Sequence, residues 1–148
     1  MSFLNSMSIS ASALTATRLR MDVITENIAN SDTTRTETGD PYRRKFVVFQ
    51  ERSNNRDFSS VFNRARGIND RAPGGVRVVH IGHDMSDFKL DYNPAHPDAD
   101  ENGYVRLPNV EVVQEMVDMM SAFRAYEANI TALNAFKDMA VKTLEIGR

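Results

Sequence analysis

ENIANSDTT, residues 26–34, is the stretch on which the reading of this chain turns. Asn27 and Asn30 bracket an apolar pair, Ile28 and Ala29, and a turn-prone run follows. Upstream, Met7, Leu14, Met21 and Ile28 recur every seven residues, with Thr17 and Ile24 at intermediate positions. That repeat predicts a helix that packs along another helix. Asparagine tolerates the left-handed conformation that ends helices, and its amide closes local bonds in turns. Spaced by three, Asn27 and Asn30 share a face. One is expected to turn the chain and the other to bond a neighbouring helix. Ser10 and Thr17 sit where larger seam residues would be expected, so this helix buries little by itself and is marginal in isolation.

The C-terminal segment repeats the pattern more strongly. Val112, Met119, Tyr126, Leu133 and Ala140 form one heptad line. Met116, Phe123, Ile130 and Leu144 form its expected companion, interrupted by Lys137, with Val113 and Met120 widening the stripe. Pro108 and Asn109 read as a start signal, Glu111 suits the positive end of the helix dipole, and Gly147 reads as a stop. A helix over 110–146 would be roughly 55 Å long, too long for a compact domain of this size. The two terminal helices are therefore expected to pair with each other.

Between them lie short apolar runs typical of strands: 45–50 (KFVVFQ), 75–81 (GVRVVHI), 87–92 (DFKLDY) and 104–107 (YVRL). In 87–92 strict alternation predicts that Phe88, Leu90 and Tyr92 face a core. Residues 52–72 read as a mobile polar loop with a helical turn at 58–62. The expected fold is mainly α with a small β insertion. Residues 1–34 and 108–148 would form a discontinuous coiled-coil domain, and 35–107 a β-containing insertion.

The chain has 148 residues, no cysteine and a formal net charge of −2. The absence of thiols excludes disulfides, thiolate metal ligands and a cysteine nucleophile. The balanced charge argues against a nucleic-acid partner. Charge is nevertheless segregated: residues 43–77 carry nine Lys/Arg against three Asp/Glu, and residues 84–118 carry two against nine. Such blocks either form separate solvated surfaces or meet as complementary ones, which fixes register more than affinity. No basic leader followed by an apolar run opens the sequence, and no stretch has the ~20 apolar residues that span a bilayer.

Three stretches resemble sites. Asp98, Asp100, Asn102 and Gly103 open like a calcium loop, but Asn109 stands where the bidentate carboxylate belongs, and Pro94 and Pro97 exclude the incoming helix. An acidic turn that bonds its own backbone is the preferred reading. His80, His83, Asp84 and His96 lack the spacing for zinc. The arginines of 43–77, interleaved with Phe46, Phe49, Phe58 and Phe62, suggest a single-strand binder by composition, but those aromatics are also the region's core anchors. No phosphate-cradling loop or nucleophile elbow appears. No catalytic role, cofactor or small-molecule substrate is expected.

With these residues in view, Asn27, Ile28, Ala29, Asn30 and the following Thr33 or Thr34 closely resemble the N-terminal signature of bacterial flagellar axial proteins, the rod, hook and hook-associated family. Residues 109–147 resemble that family's closing helix. PYRRK (41–45) and the stretch from Tyr92 to Met116, with His96, Pro97, Asp98, Asp100, Gly103 and Tyr104, are similar to the proximal rod members. The resemblance implies a structural subunit exported unprocessed through the flagellar type III apparatus. It implies contacts with other copies, with proximal and distal rod proteins and with the adaptor at the membrane-ring base, in the basal body within the cell envelope. Met7, Leu14, Met21, Met116, Met119, Phe123, Tyr126, Ile130 and Leu133 would supply the assembling helix faces. A free-standing calcium-binding or other interaction module is the alternative.

Overall fold

The computed structural model describes residues 3–52, 62, 65–67 and 74–146. Its elements run α1 (Phe3–Ala29), β1 (Lys45–Glu51), β2 (Val76–His83), β3 (Lys89–Tyr92), β4 (Tyr104–Leu107) and α2 (Val112–Ile146). The protein is mainly helical with a small antiparallel β part. At 27 and 35 residues the helices are about 40 and 52 Å long. Most of the loop expected over 52–72, with its turn at 58–62, lies outside the described residues.

The strands form two separate ribbons, β1 with β2 and β3 with β4. The first is antiparallel: Arg44 O accepts from Asp84 N–H at 2.8 Å, and Arg52 N–H donates to Gly75 O at 2.7 Å. In the second, Leu90 stands opposite Arg106 and Tyr92 opposite Tyr104, while Asp91 stands opposite Val105.

The chain divides into two compact units. One comprises Met1–Arg18, Phe49–Val79 and Arg124–Arg148; the other comprises Leu19–Val48 and His80–Phe123. In the first unit Ser12 ties α1 to the start of β2. Its hydroxyl accepts from Val76 N–H at 3.1 Å and donates to Ile9 O at 2.7 Å. Gly75 leads into this contact at φ +85°, and a Cβ there would lie 2.2 Å from Ser12 Oγ. Only glycine fits that conformation and that gap. In the second unit the core comprises Val23, Ile24, Tyr42, Val105, Val110 and Ala122, with Pro108 fully enclosed. Gly82 lets the Phe46 ring lie across the ribbon, where a Cβ would come within 2.7 Å of it.

Two expectations about faces are corrected. On α2 the line Val112, Met119, Tyr126, Leu133 and Ala140 is half-buried throughout, but its buried companions are Glu115 and Ala122. The expected companions Met116, Phe123, Ile130 and Leu144 are exposed. On α1 the deepest positions are Ser10, Ala16, Val23, Ile24 and Asn27, and Met7, Leu14, Met21 and Ile28 are half-buried. Small and polar side chains, Ser10, Ala16, Asn27, Glu115 and Ala122, thus share the deepest helix positions with Val23 and Ile24, while the methionines and Phe123 lie to the side. In the β3–β4 ribbon the inward face is that of Val105, at 2% exposure. Strand alternation then turns Leu90 and Tyr92 outward, opposite to the sequence expectation.

Candidate functional site

The second unit is organised around the end of α1. Asn27 lies on its last helical turn and is 1% exposed. Its amide nitrogen donates to Lys45 O at 2.8 Å and to Glu115 Oε2 at 3.0 Å. Its carbonyl oxygen accepts from Tyr42 OH and from Lys45 N–H, both at 2.9 Å. All four bonds that an asparagine side chain ordinarily makes are formed. The amide pairs with the Lys45 peptide as a neighbouring strand would, so the helix end holds the first residue of β1 and the first turn of α2 together.

Glu115, fully buried, is the other centre. Its second oxygen, Oε1, accepts from Arg44 Nε at 2.6 Å. Arg44 also pairs with Asp118 at 3.6 Å, and Arg20 from α1 reaches the same carboxylate at 3.8 Å. Asn27 meets Glu115 and Arg20 meets Asp118, so these portions of α1 and α2 run in opposite directions. Lys45 Nζ pairs with Glu26. Among the described residues no buried side-chain nitrogen or oxygen lacks a partner. A buried carboxylate is tolerable only in such company.

Burial pushes the Tyr42 hydroxyl up to about 12, with the nearby Glu26 and Glu115 carboxylates adding to the effect. It stays protonated and donates to Asn27. Ser86 holds Asp84 below the usual carboxylate range, first by its backbone N–H and then by its hydroxyl.

Asn30 does the other task expected of the pair. Its Nδ2 donates to Glu26 O at 2.9 Å, its Oδ1 accepts from Thr33 Oγ1 at 3.2 Å, and its carbonyl accepts from Thr33 N–H at 3.2 Å. Asn30 thus closes the turn and Asn27 bonds the other helix. The mechanism differs from the expectation in one respect. No described residue other than glycine has positive φ, so the helix ends through side-chain bonds and not through a left-handed asparagine. Asn109 also differs. The first turn of α2 closes with Glu115 N–H on Glu111 O at 2.9 Å. The Asn109 side chain instead accepts from Arg44 N–H at 2.8 Å and donates to Asp84 O at 3.0 Å, joining the β1–β2 ribbon to the approach to α2.

These two findings place the Asn-Ile-Ala-Asn signature at the structural centre of a unit that draws on both ends of the sequence. Comparison with known proteins shows the same two ends. Residues 7–35 match the family described as flagella basal body rod protein, and residues 101–146 match flagellar basal body rod FlgEFG protein C-terminal. The chain is 50% identical over 152 aligned positions to the flagellar basal-body rod protein FlgC of Bacillus subtilis, covering all of both chains. It is 44% identical over 148 positions to that of Escherichia coli O157:H7, again over both full lengths. With that of Aquifex aeolicus it shares 41% over 145 positions, 98% of this chain and 97% of the relative. The chain belongs to the flagellar basal-body rod protein FlgC family. As a member it is a structural subunit of the flagellar basal-body rod.

The residues by which the sequence resembles the proximal rod members form an ordered turn in this FlgC-family chain. Asp100 Oδ1 accepts from Asn102 N–H and Tyr104 N–H, both at 2.9 Å, and Gly103 N–H donates to Asp100 O at 2.9 Å. His96 Nδ1 accepts from Asp98 N–H at 3.1 Å. Asp98 Oδ2 accepts from Thr34 Oγ1 at 2.8 Å, which anchors the turn to the segment leaving α1. Pro97 is exposed, and Tyr104 meets Tyr92 edge to face at 5.3 Å. The carboxylates that look like calcium ligands in the sequence thus bond the chain itself. The described residues contain no group of three or more His, Asp or Glu placed to hold a metal, and none of their helices is long and apolar enough to cross a membrane.

Of the signature residues, Ile28 and Asn30 are half-buried and Ala29 is exposed. Tyr42, Arg44 and Glu115 were not singled out by periodicity. Glu115 carried a usable signal: a carboxylate three residues after Val112 and four before Met119, on an otherwise apolar heptad seam.

Proposed function

We propose that this chain forms the proximal part of the rod, acting by assembly and not by catalysis. Its terminal helices pack with those of other copies, of proximal and distal rod subunits, and of the adaptor at the membrane-ring base. It reaches the periplasmic space through the flagellar type III apparatus without a cleaved leader. The observation that carries this reading is the outer face of α2. Val113, Met116, Val117, Met120 and Phe123 are all between 49% and 72% exposed on one side of a helix. Stripes of this kind on a soluble chain mark protein contacts. Methionine adapts to unlike neighbours, which suits a face that meets several different subunits. Met119, Tyr126, Leu133, Met7, Leu14 and Met21, half-buried in the single chain, lie beside the seams and complete the assembling surfaces with Ile130.

The test is genetic and structural. Cells lacking the gene are expected to build nothing beyond the basal membrane ring when isolated basal bodies are viewed by electron microscopy. A Met116→Asp/Phe123→Asp chain should be expressed and folded but fail to restore the rod. Normal rods from either strain would overturn the proposal.

A further inference from the structure

The chain has eight methionines and no cysteine, so its oxidisable sulfurs are all thioethers. Among the described residues they fall into two groups. Met7, Met21 and Met119 are half-buried. Met85, Met116, Met120 and Met139 are exposed, at 77%, 53%, 56% and 50%. Met116 and Met120 stand one turn apart on α2, on the face that also exposes Val113, Val117 and Phe123. Glu115 and Ala122, the buried residues of this helix, lie on its opposite side. A chemical change at the two sulfurs therefore alters the outer face and leaves the Asn27–Glu115–Arg44 cluster intact.

We propose that Met116 and Met120 are modification sites through which hydrogen peroxide controls assembly: their sulfoxides bar the free chain from the rod. The inference rests on the rod reading and adds a control to its α2 surface. In the reaction a lone pair of the thioether sulfur forms the S–O bond as the O–O bond of peroxide breaks. The departing hydroxide takes the proton of the new S–OH group and leaves as water. Sulfur loses two electrons and peroxide gains them. The product replaces a soft apolar group with a dipolar oxygen that accepts hydrogen bonds. Val113, Val117 and Phe123 beside it carry no side-chain donor. On the free chain water solvates that oxygen. Buried against another subunit without a donor, it weakens the contact about tenfold. Assembly covers both sulfurs, so the control acts on the subunit before it is incorporated.

The test treats cells that carry the full chain as sole copy with sub-lethal hydrogen peroxide while they build flagella. Sulfoxide is then mapped by peptide mass spectrometry. Unassembled chain should carry it at Met116 and Met120 ahead of the half-buried Met119. Chain from isolated basal bodies should carry it at neither. Equal sulfoxide at the two positions in both pools would overturn the proposal. Rods are also counted, each strain against its own untreated number. Peroxide should lower that ratio about tenfold for the parent and for Met85→Leu, and less than about twofold for Met116→Leu/Met120→Leu. A double variant as sensitive as the parent would overturn the proposal too. Should that variant build no rods untreated, the two pools of the parent decide. Purified chain oxidised at both positions should keep its denaturation midpoint; a large fall would place the sulfurs in the core and overturn the control. Any of these failures with the parent chain present in untreated basal bodies removes this inference alone. Absence of the parent chain from them removes the rod reading itself.

Discussion

Glu115 and Met116 are neighbours on α2, yet the carboxylate is fully buried and the methionine is 53% exposed. An ordinary surface helix has the opposite arrangement, apolar inward and charged outward. Here the inner face meets Asn27 and Arg44, and the outer face of the same turns is Val113, Met116, Val117 and Met120. The inversion separates two tasks. A buried, fully bonded polar cluster admits one register between helix and strand. In the assembly proposed above, the apolar outer stripe would gain most of its burial from another molecule.

The comparison is broken most severely from the inside. Replacing Glu115 with Ala leaves Arg44 Nε and one Asn27 proton without their acceptor. Losing one partner of a buried ion pair costs about 3–5 kcal/mol. Chemical denaturation should show a much lower midpoint, and amide exchange should accelerate around Lys45. A midpoint unchanged from the parent would mean that the cluster does not hold the unit together.

A smaller effect is expected at Tyr42. Its hydroxyl ionises near 10 when the chain is unfolded but only at about 12 in the fold. Below pH 10 both states keep the proton and stability does not depend on this group. Between pH 10 and 12 only the unfolded chain releases it, so stability falls as pH rises through that window. Tyr42→Phe should remove this part of the alkaline loss and cost about 1 kcal/mol at neutral pH, because Lys45 N–H still satisfies Asn27. Stability measured from pH 8 to 12 in both chains checks it.

The smallest effect on the single chain should come from outside. Met116→Gln and Met120→Gln alter exposed side chains and should shift folding stability by no more than about 0.5 kcal/mol. A large loss would show that the outer stripe already has a partner within the chain.

How much was legible beforehand follows the range of the interactions. The helices, strands and their order are local matters of period, turn residues and β-branching, so they were readable. The division of labour between Asn27 and Asn30 was readable as an alternative, because three-residue spacing and amide chemistry limit what the pair can do. The acidic turn was readable because Asp100 bonds residues two and four positions away. The inward faces were not. Periodicity favoured Met116 and Phe123 on size, while packing buried Glu115 and Ala122, because Asn27 and Arg44 satisfy the carboxylate and alanine needs little room. Alternation set Leu90 and Tyr92 together, but pairing with β4 decided which way they point.

The sequence by itself therefore determined the elements, the place where α1 stops, and membership of the FlgC family. Those depend on residues a few positions apart or on motifs at the two ends. The tertiary structure alone decided that Asn27 meets Glu115 across 88 residues of sequence, and that Met116, Val117, Met120 and Phe123 of α2 face outward. Amphipathic patterns mark a stripe on an element but not its partner. The partner is chosen by which groups can satisfy one another once water is excluded.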